Sequence, residues 1–85
     1  MVFSLYFTPT AEKELARLDT KSLKRMKERL GRASATPQLF VKRLKGIELF
    51  SLRVGDYRAI LRIDWSRNSI IVVRIGHRHN VYDKL

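Results

Sequence analysis

Apolar residues change their spacing once along this chain, and the change separates a helical first half from a sheet-forming second half. Ala11, Leu15 and Leu18, then Leu23, Met26, Leu30 and Ala33, fall three and four residues apart. That spacing keeps them on one helical face, with Lys13 and Arg17 on the solvated side of the first segment. Thr8-Pro9 supplies a capping hydroxyl and a proline suited to the first helical position, and Asp19-Thr20 restarts the helix. The pattern therefore predicts a helical hairpin, its second helix over about residues 21–34, preceded by a strand at 2–7. Thr36-Pro37 ends the period, and 38–47 reads as a loop carrying Lys42, Arg43 and Lys45 and closed by Gly46.

From Glu48 the period is two. Phe50, Leu52 and Val54 alternate with Leu49, Ser51 and Arg53, and Tyr57, Ala59, Leu61, Ile63 and Trp65 alternate with Arg58, Ile60, Arg62 and Asp64. Between these strands lies Gly55-Asp56, a two-residue loop with glycine where a type II′ turn needs it. Such a hairpin sets Val54 opposite Tyr57 and Arg53 opposite Arg58. Like charges facing each other weaken a sheet, so the pair points to an anionic ligand between two planar, bidentate donors. Ser66-Arg67-Asn68 reads as a second loop and 70–75 as a last strand, with Ile71, Val73 and Ile75 continuing the core face. The expected architecture is α+β, in the order β-α-α-β-β-β. It is an antiparallel sheet with the helical hairpin on one side and Arg53, Arg58, Arg62 and Arg74 on an open opposite face.

Eighty-five residues suit a single domain, 1–85. Composition adds one decisive fact: eighteen Lys and Arg against eight acids give a formal charge of +10. That excess favours a polyanionic partner, nucleic acid first, or an acidic protein competing for the same face. An anionic membrane fits less well, because no helix pairs a strongly apolar face with an interfacial Trp. The absence of cysteine excludes disulfides and thiolate metal sites and suits a cytoplasmic protein. Val2 to Phe7 is too short and lacks the basic start of a signal segment, and no stretch approaches a membrane span.

The chemistry narrows from there. Asp56, Asp64, Glu48 and Asp83 are dispersed, and His77 and His79 lack zinc-ligand spacing, so neither a metal nor another cofactor is expected. Metal-free phosphoryl transfer on RNA remains, with the substrate's own 2′-hydroxyl attacking the adjacent phosphate. It needs in-line positioning, cations around the transition state and a proton acceptor. Arg53, Arg58 and Arg78 are the candidate cations, and His77 or Tyr82 the candidate proton carriers. Lys42, Arg43, Lys45, Ser51, Arg62, Arg74 and His79 are candidate RNA contacts. Bland readings stand beside these: a basic strand face is often only solvated, His77 shares parity with the core, and Tyr82 can simply pin the tail.

Read in order, Leu44-Lys45-Gly46, Phe50 through Arg58, Ile75-Gly76-His77-Arg78 and Val81-Tyr82 make the chain resemble the RelE/ParE superfamily of toxins from prokaryotic toxin-antitoxin pairs, over nearly its whole length. The RelE branch implies an endoribonuclease that enters the A site of the 30S ribosomal subunit and cleaves the messenger RNA there, restrained by an acidic, RelB-like antitoxin. In that branch Arg58 corresponds to the phosphate-stabilising arginine, assisted by Arg78 and by Arg53, while Tyr82 stacks on or activates the substrate. Two positions depart from the branch. Ser51 stands where a basic proton acceptor is found, and His77 stands where some members have lysine. A ParE-like gyrase inhibitor without nuclease chemistry, and a catalytically weak RNA- or ribosome-binding homologue, are the alternatives.

Overall fold

The computed structural model describes residues 2–44 and 46–77. Strand β1 spans Ser4–Phe7, helix α1 Pro9–Ala16, helix α2 Thr20–Ala35, a short helix α3 Pro37–Phe40, and strands β2 to β5 Lys42–Arg43, Phe50–Val54, Tyr57–Asp64 and Ser69–His77. The two long helices start where the sequence places their caps. Thr8 Oγ1 accepts from Ala11 N (3.1 Å) with Pro9 in the first turn, and Asp19 Oδ2 accepts from Ser22 N (3.3 Å).

The α+β class and the helix and strand order agree with the sequence reading, with two differences. Residues 38–47 are not all loop: α3 and the two-residue β2 form there, β2 pairing antiparallel with β3. The sheet is also mixed. Its order is β1-β5-β4-β3-β2, with β1 running parallel to β5 (Ser4 opposite Ser69 through Phe7 opposite Val72) and the other pairs antiparallel.

One face of the sheet makes the core. Leu52, Val54, Ala59, Leu61, Ile70, Val72 and Ile75 are buried there with Ala11, Met26, Leu30 and Ala33 from the helices. The sequence reading assigned Ile71 and Val73 to this face, and the register corrects it. Ile60 pairs with Arg74 but Leu61 pairs with Val72, so β5 carries a bulge at Val73 that reverses the parity of everything before it. The bulge sits where β1 leaves the sheet. Thr8 N donates to Val72 O (3.0 Å) and Thr8 Oγ1 to Val73 O (2.8 Å), so the turn into α1 satisfies the carbonyls that the departing strand abandons.

Beyond that point α1 replaces β1 as the cover of β5. Glu14 Oε1 accepts the backbone N–H of Ile75 at 2.9 Å, Arg74 Nη2 donates to Glu14 Oε2 at 3.3 Å, and Arg74 Nε lies 3.2 Å from Oε1 without hydrogen-bond alignment. A carboxylate thus takes the place of a strand partner on an open edge.

Candidate functional site

The hairpin at Gly55-Asp56 folds as its sequence dictates. Gly55 has φ +60°, and Asp56 is not among the residues with positive φ, the signature of a type II′ turn. Val54 pairs with Tyr57 and Arg53 with Arg58. In a two-residue hairpin the second pair is a non-hydrogen-bonded one, which brings the two arginine α-carbons to about 4.5 Å. Arg53 is exposed and Arg58 half-buried. Gly76 faces Arg58 from β5, so no side chain stands over that flank of the pair.

Register also supplies a cation that sequence reasoning did not place there. Lys42 on β2 lies directly opposite Ser51, which is 5% exposed, and diagonal to Arg53, a separation of about 7–8 Å. The position that Ser51 leaves without a charge is therefore flanked by an exposed lysine. Reading 38–47 as loop hid this, because only the pairing of β2 fixes which way Lys42 faces.

Other expected site residues are distributed differently. His77 pairs with Tyr57, and their rings meet edge-on at 5.8 Å and 68°, so His77 shares the helix-side face and not the face of Arg53 and Arg58. Arg74 is engaged by Glu14, their side chains 24% and 10% exposed, which makes it a structural arginine rather than a free phosphate donor. Arg62 and Arg43 are exposed near the far ends of β4 and β3. Lys45, Arg78, His79 and Tyr82 lie outside the described residues. The face expected to be open is partly closed, since Ile60 at its centre is fully buried.

Two features had no signal in the sequence pattern. Arg25 of α2 reaches the hairpin, its Nη1 3.4 Å from where a β-carbon on Gly55 would sit. At the opposite end of β4, a cleft of about 820 Å³ opens between Arg43, Ile47, Phe50, Arg62, Ile63 and Trp65. Trp65 was expected on the core face of a strand. It lies in the turn after Asp64, 45% exposed. That turn is held by Asp64 Oδ1, which accepts from Ser66 Oγ (2.7 Å), Ser66 N (3.1 Å) and Arg67 N (3.2 Å). The Ser66 hydroxyl above all, then the Arg67 and Ser66 amides, holds the Asp64 carboxyl below its ordinary value against a smaller opposing effect of burial. No group of three or more potential metal ligands occurs among the described residues, and none of their helices is long and apolar enough to cross a membrane.

A small basic α+β sheet with a cationic hairpin at one end is the build of toxins from type II toxin-antitoxin systems. Residues 5–82 match the family described as the ParE toxin of type II toxin-antitoxin system, parDE, and the chain belongs to that family, within the RelE/ParE superfamily. It is 34% identical over 86 residues to toxin RelG of Mycobacterium tuberculosis, covering 96% of this chain and 98% of that one. Among solved structures it is similar to a chain of the toxin-antitoxin complex RelBE2 from the same organism (TM-score 0.84, 31% identity, 92% of this chain and 100% of that one). It is similar also to a chain of the archaeal RelE-RelB complex of Pyrococcus horikoshii OT3 (TM-score 0.78, 25% identity, 92% and 97%).

Proposed function

We propose that this toxin is a metal-independent endoribonuclease that cleaves messenger RNA in the A site of the 30S ribosomal subunit and so stops translation in the cytoplasm. The observation that carries the reading is the register of Arg53 opposite Arg58 across a type II′ turn, a like-charge pair that weakens the sheet unless an anion occupies it. The 2′-hydroxyl oxygen attacks the adjacent phosphorus and the bond to the 5′ oxygen breaks, giving a 2′,3′-cyclic phosphate and a 5′-hydroxyl. One proton leaves the attacking oxygen and one arrives at the leaving oxygen. Arg53 and Arg58 stabilise the charge on the pentavalent phosphorus oxygens, with Lys42 beside Ser51 as a third cation. Arg78 and Tyr82 join them by resemblance to the RelE branch. Proton transfer falls to Tyr82 rather than His77, whose ring is turned to Tyr57 on the other face.

The chain's charge of +10 calls for an acidic protein to hold the free toxin in check, and relatives solved as RelB-RelE complexes support an antitoxin of that kind. Cleavage in a reconstituted translation reaction tests the nuclease. Arg58→Ala is expected to slow it about 10²- to 10³-fold, the usual effect of removing one transition-state donor, and His77→Ala to leave it nearly unchanged. Unaltered cleavage by Arg58→Ala would sink the proposal. The ParE name of the matching family favours a second reading, inhibition of DNA gyrase through protein contacts; a supercoiling assay with the purified chain distinguishes the two.

A further inference from the structure

We propose that the cleft beside Trp65 binds an unstacked base of single-stranded RNA, one strand length away from the phosphate clamp. The inference rests on the nuclease reading and gives its substrate a second anchor. Trp65 is 45% exposed yet held in place, its indole edge-on to Phe3 (5.6 Å, 85°) and to Phe50 (6.1 Å, 79°). An aromatic ring already fixed by its neighbours loses little freedom when a base stacks on it. Arg43 and Arg62 line the same cleft, Arg43 on the side of Phe50 and Arg62 on the opposite face of the sheet. Neither has an ion-pair partner among the described residues.

Two acids also line the cleft, Glu48 and Asp64. Asp64 spends its acceptor capacity on Ser66 and Arg67. Glu48 is exposed and offers an acceptor for an exocyclic amino group, the pairing a carboxylate makes with cytosine N4. Free guanidinium groups for the backbone, one aromatic platform and one acceptor for a base edge make up a single-strand subsite, which an apolar peptide side chain would not require.

The two ends share one face of β4, separated by the buried Ile60. Arg53, Arg58 and Arg62 lie on one face of the β3–β4 pair, and Arg58 to Arg62 spans about 13 Å along the strand. An RNA strand clamped at the hairpin that passes over the covered Ile60 meets Arg62 next and can turn a free base over the edge onto Trp65.

Trp65 is the only tryptophan in the chain, so its emission reports on this cleft alone. The full-length toxin is titrated with a short, uncleavable 2′-O-methyl oligoribonucleotide, following fluorescein anisotropy on the RNA and tryptophan emission together. Trp65 emission is expected to be quenched in parallel with the anisotropy rise. Trp65→Ala should weaken binding about 10-fold, as loss of one stacked base does, with Trp65→Phe restoring most of it. Arg62→Gln and Arg43→Gln, which leave the aromatic packing intact, should each lower the slope of log K against log salt by about 0.7. RNA binding with Trp65 emission unmoved and salt slopes unchanged in both arginine variants overturns the inference while leaving the nuclease reading standing. Emission that responds to an acidic peptide but not to RNA overturns it in favour of a protein-docking cleft. Quenching by RNA without any A-site cleavage would instead overturn the nuclease reading and keep the subsite.

Discussion

Removing the Glu14 carboxylate tests whether a helix side chain truly closes the edge of β5. Glu14→Ala leaves the Ile75 N–H without its 2.9 Å acceptor and Arg74 without the oxygens 3.2 and 3.3 Å away. A hydrogen bond to a charged acceptor contributes about 1.5–3 kcal/mol. Stranding a buried charge costs up to about 3–5 kcal/mol, but Arg74 retains 24% exposure and recovers much of its hydration, so roughly 1 kcal/mol is added. The expected loss is about 3 kcal/mol, a large part of the roughly 4–13 kcal/mol available to 85 residues. Glu14→Gln keeps an acceptor for Ile75 but not the charge, and should lose about half as much. Urea denaturation of the two variants, with Arg74→Ala and the double mutant completing a cycle, separates the backbone contact from the ion pair. A loss under about 0.5 kcal/mol for Glu14→Ala, the range of ordinary surface substitutions, would refute the edge-capping role. So would a Glu14→Gln variant as unstable as Glu14→Ala.

Replacing Arg53 by Glu turns a facing like-charge pair into an opposite-charge pair, so chemical denaturation should show a gain of about 0.5 kcal/mol while A-site cleavage is lost; a less stable variant would contradict the reading of the pair as a functional liability. Gly55→Ala should cost about 1–2 kcal/mol in the same assay, because φ is +60° there, whereas the 3.4 Å approach to the flexible end of Arg25 adds little. Asp64 titrates below its ordinary 3.8, so the stability its turn bonds supply is complete above that value and disappears as the pH falls through the lower folded-state value. Asp64→Asn should therefore flatten the acid limb of the stability–pH profile, with the remaining acid dependence including Asp19, whose carboxyl Ser22 lowers in the same way.

What the sequence made legible was local. Thr8-Pro9, Asp19 and Gly55-Asp56 act through their immediate neighbours, and the caps and the hairpin stand where those residues put them. The facing arginines followed from the turn type alone. The parity of β5 was not legible, because Ile70, Ile71, Val72 and Val73 are all apolar and either alternation fits them. The bulge that decides it is set by Thr8, about 65 positions away in the chain. The parallel pairing of β1 with β5 and the two-residue β2 are likewise long-range choices. With β2 went the position of Lys42, whereas the core-side parity of Tyr57 and His77 was readable from the alternation and agrees with their pairing.

The middle and the ends of β4 do different work, and that division accounts for how so small a fold tolerates its charge. Ala59, Ile60 and Leu61 are fully buried, one or two residues of solid packing on both faces of the strand. Repulsion between Arg53 and Arg58 acts one pair from the turn, where a type II′ geometry already matches the strand twist and the cost stays local. At the other end the exposed Trp65 hangs from two phenylalanines and a turn closed by Asp64, so it too can change its surroundings without disturbing the core. The remaining weak line, the edge of β5 left bare when β1 departs, is covered by Glu14. The facing arginines and the exposed tryptophan thus occupy positions whose disturbance stays local, and either end can change while the sheet between them stays folded.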